Sequence, residues 1–280
     1  MGEGADVNAG RQAGFLGRPR LSHVRGPVAG TEVLGRVSWR TGKVVALHDE
    51  TSTARTIALA VSDWPGHIAG QHVDIRLTAS DGYSAVRSYS IASAPNSDQR
   101  IEITVERLEN GEVSPYLTQE VMVGDEIELR GPIGGWFVWR SDQTEPIQLV
   151  AGGSGIVPLM AMIRSRLESH SNAQFQLLYS VREPAAAFYK DELEAISKRG
   201  DSLLLTYAFT RITPKGWPRP PGRIDAALVS VSVWPTDLAP TCYVCGPTSF
   251  VEHVNGLLIA AGMDRGKIRT ERFGSTGERK

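Results

Sequence analysis

The sequence predicts a two-domain protein in which an antiparallel β-barrel is followed by an α/β domain built on a parallel sheet. Three observations predict this division. The chain has 280 residues, about twice the usual size of one domain. Its first half carries short β-rich runs separated by turn clusters, whereas strands and helices alternate in its second half. A polar break at residues 140–146 separates the two patterns and indicates where the boundary lies.

The first domain is expected over residues 35–142, after a leader over residues 1–34. The leader is rich in Gly, Ala, Arg and polar residues and lacks sustained periodicity, so we expect it to be flexible. Turn clusters such as Trp64-Pro65-Gly66 separate the β-rich runs, and strands at this spacing are typical of a small antiparallel barrel. The predicted strands are Arg36–Leu47, Arg55–Val61, His72–Leu77, Ser88–Ile91, Ile101–Arg107 and Glu126–Leu129.

The second domain is expected over residues 143–274, with a tail at residues 275–280. Its alternation of strands and helices predicts a parallel sheet with helices on both faces. The predicted strands are Ile147–Ala151, Gln174–Val181, Leu203–Phe209, Thr241–Cys245 and Lys267–Arg272. The predicted helices are Val157–Glu168, Ala185–Arg199, Ile224–Val229 and Ser249–Ala261.

Composition and charge exclude several classes of protein. With 30 Lys and Arg against 31 Asp and Glu, the net charge is −1, so no overall basic field holds nucleic acid. The longest apolar runs, such as Ile147–Ala151, are far too short to span a bilayer. The first thirty residues lack the apolar core of a secretory signal. We therefore expect a soluble cytoplasmic protein.

Cys242 and Cys245 are the two cysteines of the chain, in a C-x-x-C spacing. A structural zinc site and a 2Fe–2S cluster each need four ligands, so neither is built within this chain and no metal is expected. A redox-active disulfide is one interpretation of the spacing. The residue pattern of Thr241–Cys245 predicts a strand, however, and residues three apart in a strand point to opposite faces. Two buried strand cysteines are the favoured interpretation.

The segment Arg87-Ser88-Tyr89-Ser90 on a predicted barrel strand is the first of two motifs that carry chemistry. Arg87 and Tyr89 are two residues apart and therefore share one face of the strand. An arginine can pair with a phosphate while a neighbouring tyrosine packs its ring on a flat heterocycle. The alternative is an exposed arginine and a half-buried tyrosine on an ordinary strand.

The second motif is the glycine-rich turn Gly152–Pro158, which follows an apolar strand and opens a helix. Glycines at such a turn let a dinucleotide phosphate approach the backbone, and the start of the helix supplies N–H donors. The turn lacks the G-x-G-x-x-G spacing, and glycine-rich turns between strands and helices are common. Its position after the first strand of the α/β half favours nucleotide binding.

In this order the motifs resemble those of the ferredoxin–NADP reductase superfamily of FAD-dependent enzymes, over residues 35–274. Gly131-Pro132-Ile133-Gly134 matches the turn that closes the family's barrel, and Cys245-Gly246-Pro247 matches its C-G-P segment. The resemblance implies that FAD contacts Arg87, Ser88, Tyr89, Ser90, Gly111, Val113, Ser114 and Phe273. It implies that the nicotinamide dinucleotide contacts Gly153, Ser154, Gly155, Pro158, Cys245, Gly246 and Pro247. Cys245 and Glu271 would position the reactive rings and tune charge or proton supply.

The implied function is an FAD-dependent reductase that passes a hydride from NAD(P)H to the flavin. Single electrons then go to a separate redox protein, with ferredoxin the first expectation and a flavodoxin, haem or oxygenase component the next. Arg265, Lys267 and Arg269 are candidates for steering an acidic partner, although such charges usually only solvate a surface. A ferric-chelate or free-flavin reductase and a non-catalytic nucleotide-binding sensor are the alternatives.

The choice between NADPH and NADH depends on cations near the adenosine ribose, because NADPH carries a 2′-phosphate there. Arg182, Arg211 and Arg223 end strands or loops on the side where the dinucleotide would lie. Thr210-Arg211 resembles the Ser-Arg pair of NADPH-specific relatives. We therefore expect NADPH to be favoured, although loop arginines are often simply solvated.

Overall fold

The computed structural model describes Met1 and residues 38–96, 98–200 and 203–274. Apart from Met1, the predicted leader lies outside the described residues, as does the predicted tail at residues 275–280, so both stay predictions. Within the described part of the chain, no helix has the length and apolar character needed to cross a membrane.

Six antiparallel strands form the first sheet, in the order β4-β3-β6-β1-β2-β5. A bridge between Ile91 and Ile103 joins the two outer strands, so the sheet closes into the predicted barrel. Alternate side chains such as Ile57, Leu59 and Ile101 fill its interior. The strands are β1 (Trp39–Thr51), β2 (Ala54–Val61), β3 (His72–Thr78), β4 (Ser84–Ser90), β5 (Arg100–Glu106) and β6 (Glu126–Ile133).

Five parallel strands form the second sheet, in the order β11-β10-β7-β8-β9, with helices on both faces. This confirms the predicted α/β domain. Helices α1 and α2 pack on the face that carries Leu149, whereas α3 and α4 pack on the face that carries Val150. The strands are β7 (Ile147–Gly152), β8 (Phe175–Val181), β9 (Leu203–Phe209), β10 (Thr241–Pro247) and β11 (Ile268–Phe273). The helices are α1 (Ile156–Glu168), α2 (Lys190–Lys198), α3 (Ala226–Ser232) and α4 (Thr248–Ala260).

The predicted helix Ala185–Arg199 is wrong at its start, because α2 begins at Lys190. Tyr189 has a φ of 55°, in the left-handed region, which interrupts the helix before that residue. Its backbone N–H donates to Glu50 Oε2 at 3.0 Å, and its hydroxyl donates to Thr104 Oγ1. Contacts with the barrel therefore fix this segment in place of helical hydrogen bonds.

Several strand and helix bounds also differ from the prediction. Strand β4 begins at Ser84 rather than Ser88, and β6 continues past Leu129 to Ile133. Strand β1 reaches Thr51 with register shifts near its middle and end, which a search for short alternating runs does not reveal. The short helix predicted at Ile224–Val229 lies at Ala226–Ser232, where Asp225 accepts from the Leu228 N–H and caps it.

The two cysteines lie on opposite faces of β10, as the strand interpretation predicts. Cys242 belongs to the core beneath α3 and α4, whereas Cys245 belongs to the core beneath α1 and α2. Both are buried and neither forms a disulfide. The C-x-x-C spacing in this chain therefore arises from strand packing on two faces.

A cluster of polar contacts joins the two domains on the side of α1 and α2. Arg164 binds Glu192 through two hydrogen bonds of 2.9 and 2.7 Å, and it also reaches the barrel. There its Nη1 donates to the Ala92 carbonyl at 3.0 Å and to Glu102 Oε2 at 2.9 Å. We call this cluster the polar clamp; it comprises Arg164, Glu102, Glu192, Tyr189, Thr104 and Glu50.

Candidate active site

The predicted catalytic pair meets the barrel at the end of β4. Glu271 on β11 lies directly opposite Cys245 on β10 in the parallel register, so their side chains share one face of the sheet. Ser90, the last residue of β4, donates a hydrogen bond from Oγ to Glu271 Oε1 at 3.3 Å. Residues 181 positions apart in the chain are thus brought together at the junction of the two domains.

Burial controls the protonation of this group of residues. It raises the pKa of Glu271 to about 7, while the hydrogen bond from Ser90 acts in the opposite direction. Burial also raises the pKa of the Cys245 thiol well above its ordinary value, and the charge of Glu271 adds to that effect. Cys245 is therefore a neutral thiol near pH 7, whereas Glu271 can exchange a proton there.

The glycine-rich turn packs directly on the Cys245-Gly246-Pro247 segment. Gly153 has a φ of +55°, which favours glycine. A Cβ at Gly155 would lie 2.1 Å from the Cys245 carbonyl oxygen, so no other residue fits without moving backbone. Ser154 lies between these two glycines, and Pro158 is buried in the first turn of α1.

The carboxyl-terminal edge of the sheet carries two exposed side chains beside this turn. Pro247 and Phe273 are paired in the register of β10 and β11, two residues beyond the Cys245–Glu271 pair. Phe273 is 37% exposed. An apolar surface is thus available next to the Ser90–Glu271 hydrogen bond.

On the barrel side, Arg87 and Ser88 point to different partners. Arg87 is half-exposed, and its Nη2 lies 2.6 Å from Glu112 Oε2. Ser88 donates to Asp74 Oδ1 at 2.6 Å, so its hydroxyl is engaged away from Arg87. Tyr89 packs partly against the barrel core. The motif therefore presents a cation and an aromatic ring on one face.

The segment Gly111–Ser114 lies beside Arg87, because Glu112 belongs to it. The Val113 side chain is buried in the barrel core, so only its backbone can face a ligand. Ser114 is also buried, and its Oγ accepts from the Leu108 N–H at 3.0 Å. A Cβ at Gly111 would lie 2.7 Å from Ser114 Oγ, which explains the glycine at this turn.

The predicted arginines converge at the carboxyl ends of β8 and β9. The Arg211 N–H donates to the Arg182 carbonyl at 2.9 Å, and the Thr210 N–H donates to the Val181 carbonyl at 2.9 Å. A third backbone bond, from Gly222 to the end of β9, brings the neighbouring Arg223 to the same edge. All three arginines are exposed, and among the described residues none has an ion-pair partner.

Two groups of contacts were missed by the sequence reasoning. The Arg269 guanidinium lies 5.6 Å from the Trp136 ring centroid and donates to the Val138 carbonyl at 2.8 Å. Lys267 donates from Nζ to the Ala239 carbonyl at 2.7 Å. Two of the three candidate docking cations therefore already have intramolecular contacts. Tyr83, which contacts Glu112, was the other omission.

Two family models match the chain, one for each domain. Residues 47–138 match the oxidoreductase FAD-binding domain, and residues 149–256 match the oxidoreductase NAD-binding domain. Together with the fold, these matches define the class: an oxidoreductase with one flavin-binding and one nicotinamide-nucleotide-binding domain. The chain belongs to the ferredoxin–NADP reductase superfamily, which confirms the resemblance carried by its motifs.

Individual relatives agree with this assignment. The glycine betaine monooxygenase reductase subunit of Chromohalobacter salexigens is 32% identical over 247 residues, which cover 86% of this chain and 65% of the relative. A ferredoxin–NAD(P)+ reductase component from Ralstonia is 27% identical, covering 84% of this chain and 69% of its own length. The FAD/NAD-binding domain of a Vibrio cholerae nitric oxide dioxygenase shares the fold, with a TM-score of 0.73, 24% identity and coverage of 86% and 100%.

The chain spans 56–65% of the length of the glycine betaine monooxygenase reductase subunits it matches. Its residues fit the cofactors that the family models name. Half-exposed Arg87 offers charge for a phosphate, and Tyr89 offers a ring beside it. The close approach of Gly155 to Cys245 joins the two segments predicted to bind the dinucleotide.

Proposed function

We propose that this chain is an FAD-dependent reductase that accepts a hydride from NAD(P)H and passes single electrons to a separate redox protein. The observation that carries the proposal is the meeting of Ser90, Glu271 and Cys245 at the junction of the two domains. Bound FAD supplies the exchange between two-electron and one-electron chemistry, and the protein supplies binding, orientation and electrostatics.

In this proposal the residues bind and orient rather than react covalently. Arg87 and the Gly111–Ser114 backbone would hold the flavin phosphates, and Tyr89 would pack against the flavin ring. Ser90 and Glu271 hold a proton at the domain junction, because Glu271 has a pKa near neutrality. Cys245 stays a neutral thiol and contributes shape beside the nicotinamide.

The first test is whether the protein binds FAD and whether a dinucleotide reduces it. We expect flavin absorbance after reconstitution with FAD and anaerobic bleaching by NADPH. Arg87→Ala should weaken FAD retention by about 1.5–3 kcal/mol, the value of a charge-assisted hydrogen bond, with little effect on unfolding. Absence of flavin binding would remove the proposal, whereas binding without bleaching would favour the nucleotide sensor.

The second test concerns NADPH. The exposed arginines at the ends of β8 and β9 support a 2′-phosphate site, so kcat/KM should be higher for NADPH than for NADH. Arg211→Ala should reduce kcat/KM for NADPH by about tenfold or more and leave NADH unaffected, since a lost charged hydrogen bond costs about 1.5–3 kcal/mol. Arg199→Ala, an exposed arginine of the same domain, is the matched control. A preference for NADH that Arg211→Ala leaves unchanged would contradict this part.

The third test concerns the electron acceptor. The names of the relatives, a monooxygenase reductase subunit and a ferredoxin reductase component of a dioxygenase system, support a ferredoxin or an oxygenase component. We expect ferredoxin to stimulate NADPH-driven reduction of cytochrome c, and more strongly at low salt if charges steer docking. Fast turnover of ferric chelates or free flavin without stimulation by ferredoxin or flavodoxin would favour the alternative reductase.

A further inference from the structure

A row of side chains continues along β4 beyond the predicted flavin end. Tyr89, Arg87 and Tyr83 are separated by two and four residues, so all three share one face of the extended chain. Tyr83 just precedes β4, and its carbonyl accepts from the Ala79 N–H at 2.8 Å, which continues the pairing with the neighbouring chain. At roughly 3.3 Å per residue, about 20 Å separates Tyr83 from Tyr89. The row is long enough for an extended dinucleotide and longer than a flavin mononucleotide requires.

The Tyr83 ring is held in place although it is exposed. It is 52% exposed, and its hydroxyl donates to Glu112 Oε1 at 2.9 Å. The other oxygen of the same carboxylate, Oε2, accepts from Arg87 Nη2 at 2.6 Å. The backbone N–H of Tyr83 donates to Asp81 Oδ1 at 3.0 Å. One carboxylate therefore fixes an exposed aromatic ring beside the guanidinium that is predicted to bind the pyrophosphate.

We propose that Tyr83, anchored by Glu112, is the surface on which the adenine of the flavin cofactor stacks, so that this chain selects FAD over FMN. This inference rests on the proposed FAD site and adds the residue that distinguishes the two flavins. Aromatic side chains stack on purines through their flat faces. The Glu112 carboxylate next to the ring is suited to accept a hydrogen bond from a ribose hydroxyl, a pairing that carboxylates make in other dinucleotide sites.

The test compares two ligands that differ by the adenylate. Flavin-free protein is titrated calorimetrically with FAD and with FMN, for the wild type and for Tyr83→Ala. The dissociation constant for FAD should rise about 5- to 150-fold in the variant, the range of base–aromatic stacking, and that for FMN should change less than about twofold. Tyr83→Phe keeps the ring and should bind FAD within about threefold of the wild type. Val123→Ala, which truncates another exposed apolar side chain, is the control and should leave both affinities unchanged.

A competition measurement gives an independent result. AMP should compete with FAD on the wild type and lose most of that competition on Tyr83→Ala. Thermal unfolding checks that the variant is folded, and Tyr83→Leu, which keeps bulk but removes the flat ring, repeats the titration if it is not. Equal weakening of FAD and FMN, or an unchanged FAD affinity, would overturn the inference and leave the proposed reductase standing. A wild type that binds neither flavin would overturn the proposed function itself.

Discussion

Two of the contacts between the barrel and the α/β domain differ strongly in character. In the polar clamp, the largely buried Arg164 binds one carboxylate from each domain and a backbone carbonyl, and Tyr189 adds two further hydrogen bonds. At the active site, Ser90 and Glu271 are joined by one hydrogen bond of 3.3 Å. The polar clamp thus joins the domains through several hydrogen bonds, whereas Ser90 and Glu271 contribute one.

This difference shows that the polar contacts between the two domains are unequal in strength. Removing one partner of a buried ion pair is costly, because the remaining charge stays desolvated. A single hydrogen bond of 3.3 Å contributes less, because it is long and has no second bond beside it. The clamp can therefore set the relative position of the domains, whereas the contact between Ser90 and Glu271 adds little to it.

The largest effect is expected from breaking the clamp. Arg164→Ala should lower the free energy of unfolding by about 3 kcal/mol, at the low end for buried pairs because Glu102 and Glu192 are partly exposed. Arg272→Ala, which removes an exposed ion pair with Glu252, should cost less than about 1 kcal/mol. Urea unfolding of both variants measures the difference. Equal losses would show that the clamp is no stronger than a surface pair.

A smaller effect is expected from Tyr189→Phe. The variant loses the hydroxyl bond to Thr104, but Thr104 keeps its hydrogen bond with Thr56, so no acceptor is left unpaired. The free energy of unfolding should fall by about 1 kcal/mol. Tyr83→Phe, which removes an exposed hydroxyl, should change it by less than about 0.5 kcal/mol. A larger loss in the exposed variant would contradict the contrast between the two regions.

Glu271 at the active site should make the stability of the protein depend on pH. The pKa of Glu271 is raised to about 7 in the folded protein, so the folded state binds its proton more tightly than the unfolded state. The stabilisation from this proton is complete below the carboxyl's ordinary pKa and is lost as pH rises through about 7. The thermal midpoint of the flavin-free protein should therefore fall more between about pH 5 and 8 in the wild type than in Glu271→Gln. An identical pH dependence in both proteins would exclude Glu271 as the titrating group.

Ser90→Ala should have the smallest effect on stability, and it tests directly how much the Ser90–Glu271 contact contributes relative to the polar clamp. Its loss of one long hydrogen bond should change the free energy of unfolding by less than about 0.5 kcal/mol. Because the hydrogen bond from Ser90 lowers the pKa of Glu271, its removal should move the pH transition upward. The same pH series on Ser90→Ala measures the shift. A loss as large as that of Arg164→Ala would mean that the site contact also holds the domains together.

Much of the fold follows from local patterns in the sequence. Short β-rich runs separated by turn clusters predicted the barrel, and the alternation of strands and helices predicted the parallel sheet. Among the bounds that were predicted wrongly, the start of α2 differs because Tyr189 bonds to Glu50 and Thr104 in the other domain. Such contacts join residues 85 and 139 positions apart and leave no local signal.

The candidate site also contains features that local sequence patterns predicted and features that they did not. Gly153 and Gly155 were predicted because glycines let a dinucleotide phosphate approach the backbone, and that role stays a prediction. The structure adds a second reason for Gly155, its packing on the Cys245 carbonyl, which the sequence does not reveal. The contacts of Glu112 with Arg87 and with Tyr83 were not predicted. They depend on how a hairpin and a later loop meet across the barrel surface, which residue types alone do not specify.

The close approach of Gly155 to the Cys245 carbonyl also bears on how a protein of this kind changes its cofactor over evolution. A side chain at Gly155 would have to displace the backbone of its own turn or that of Cys245, so this position tolerates almost no substitution. Arg182 and Arg211 stand on the exposed ends of neighbouring strands, where side chains change without moving the backbone. On the proposed function, we expect one or two substitutions at that edge to alter dinucleotide preference, whereas the glycine-rich turn is expected to stay constant.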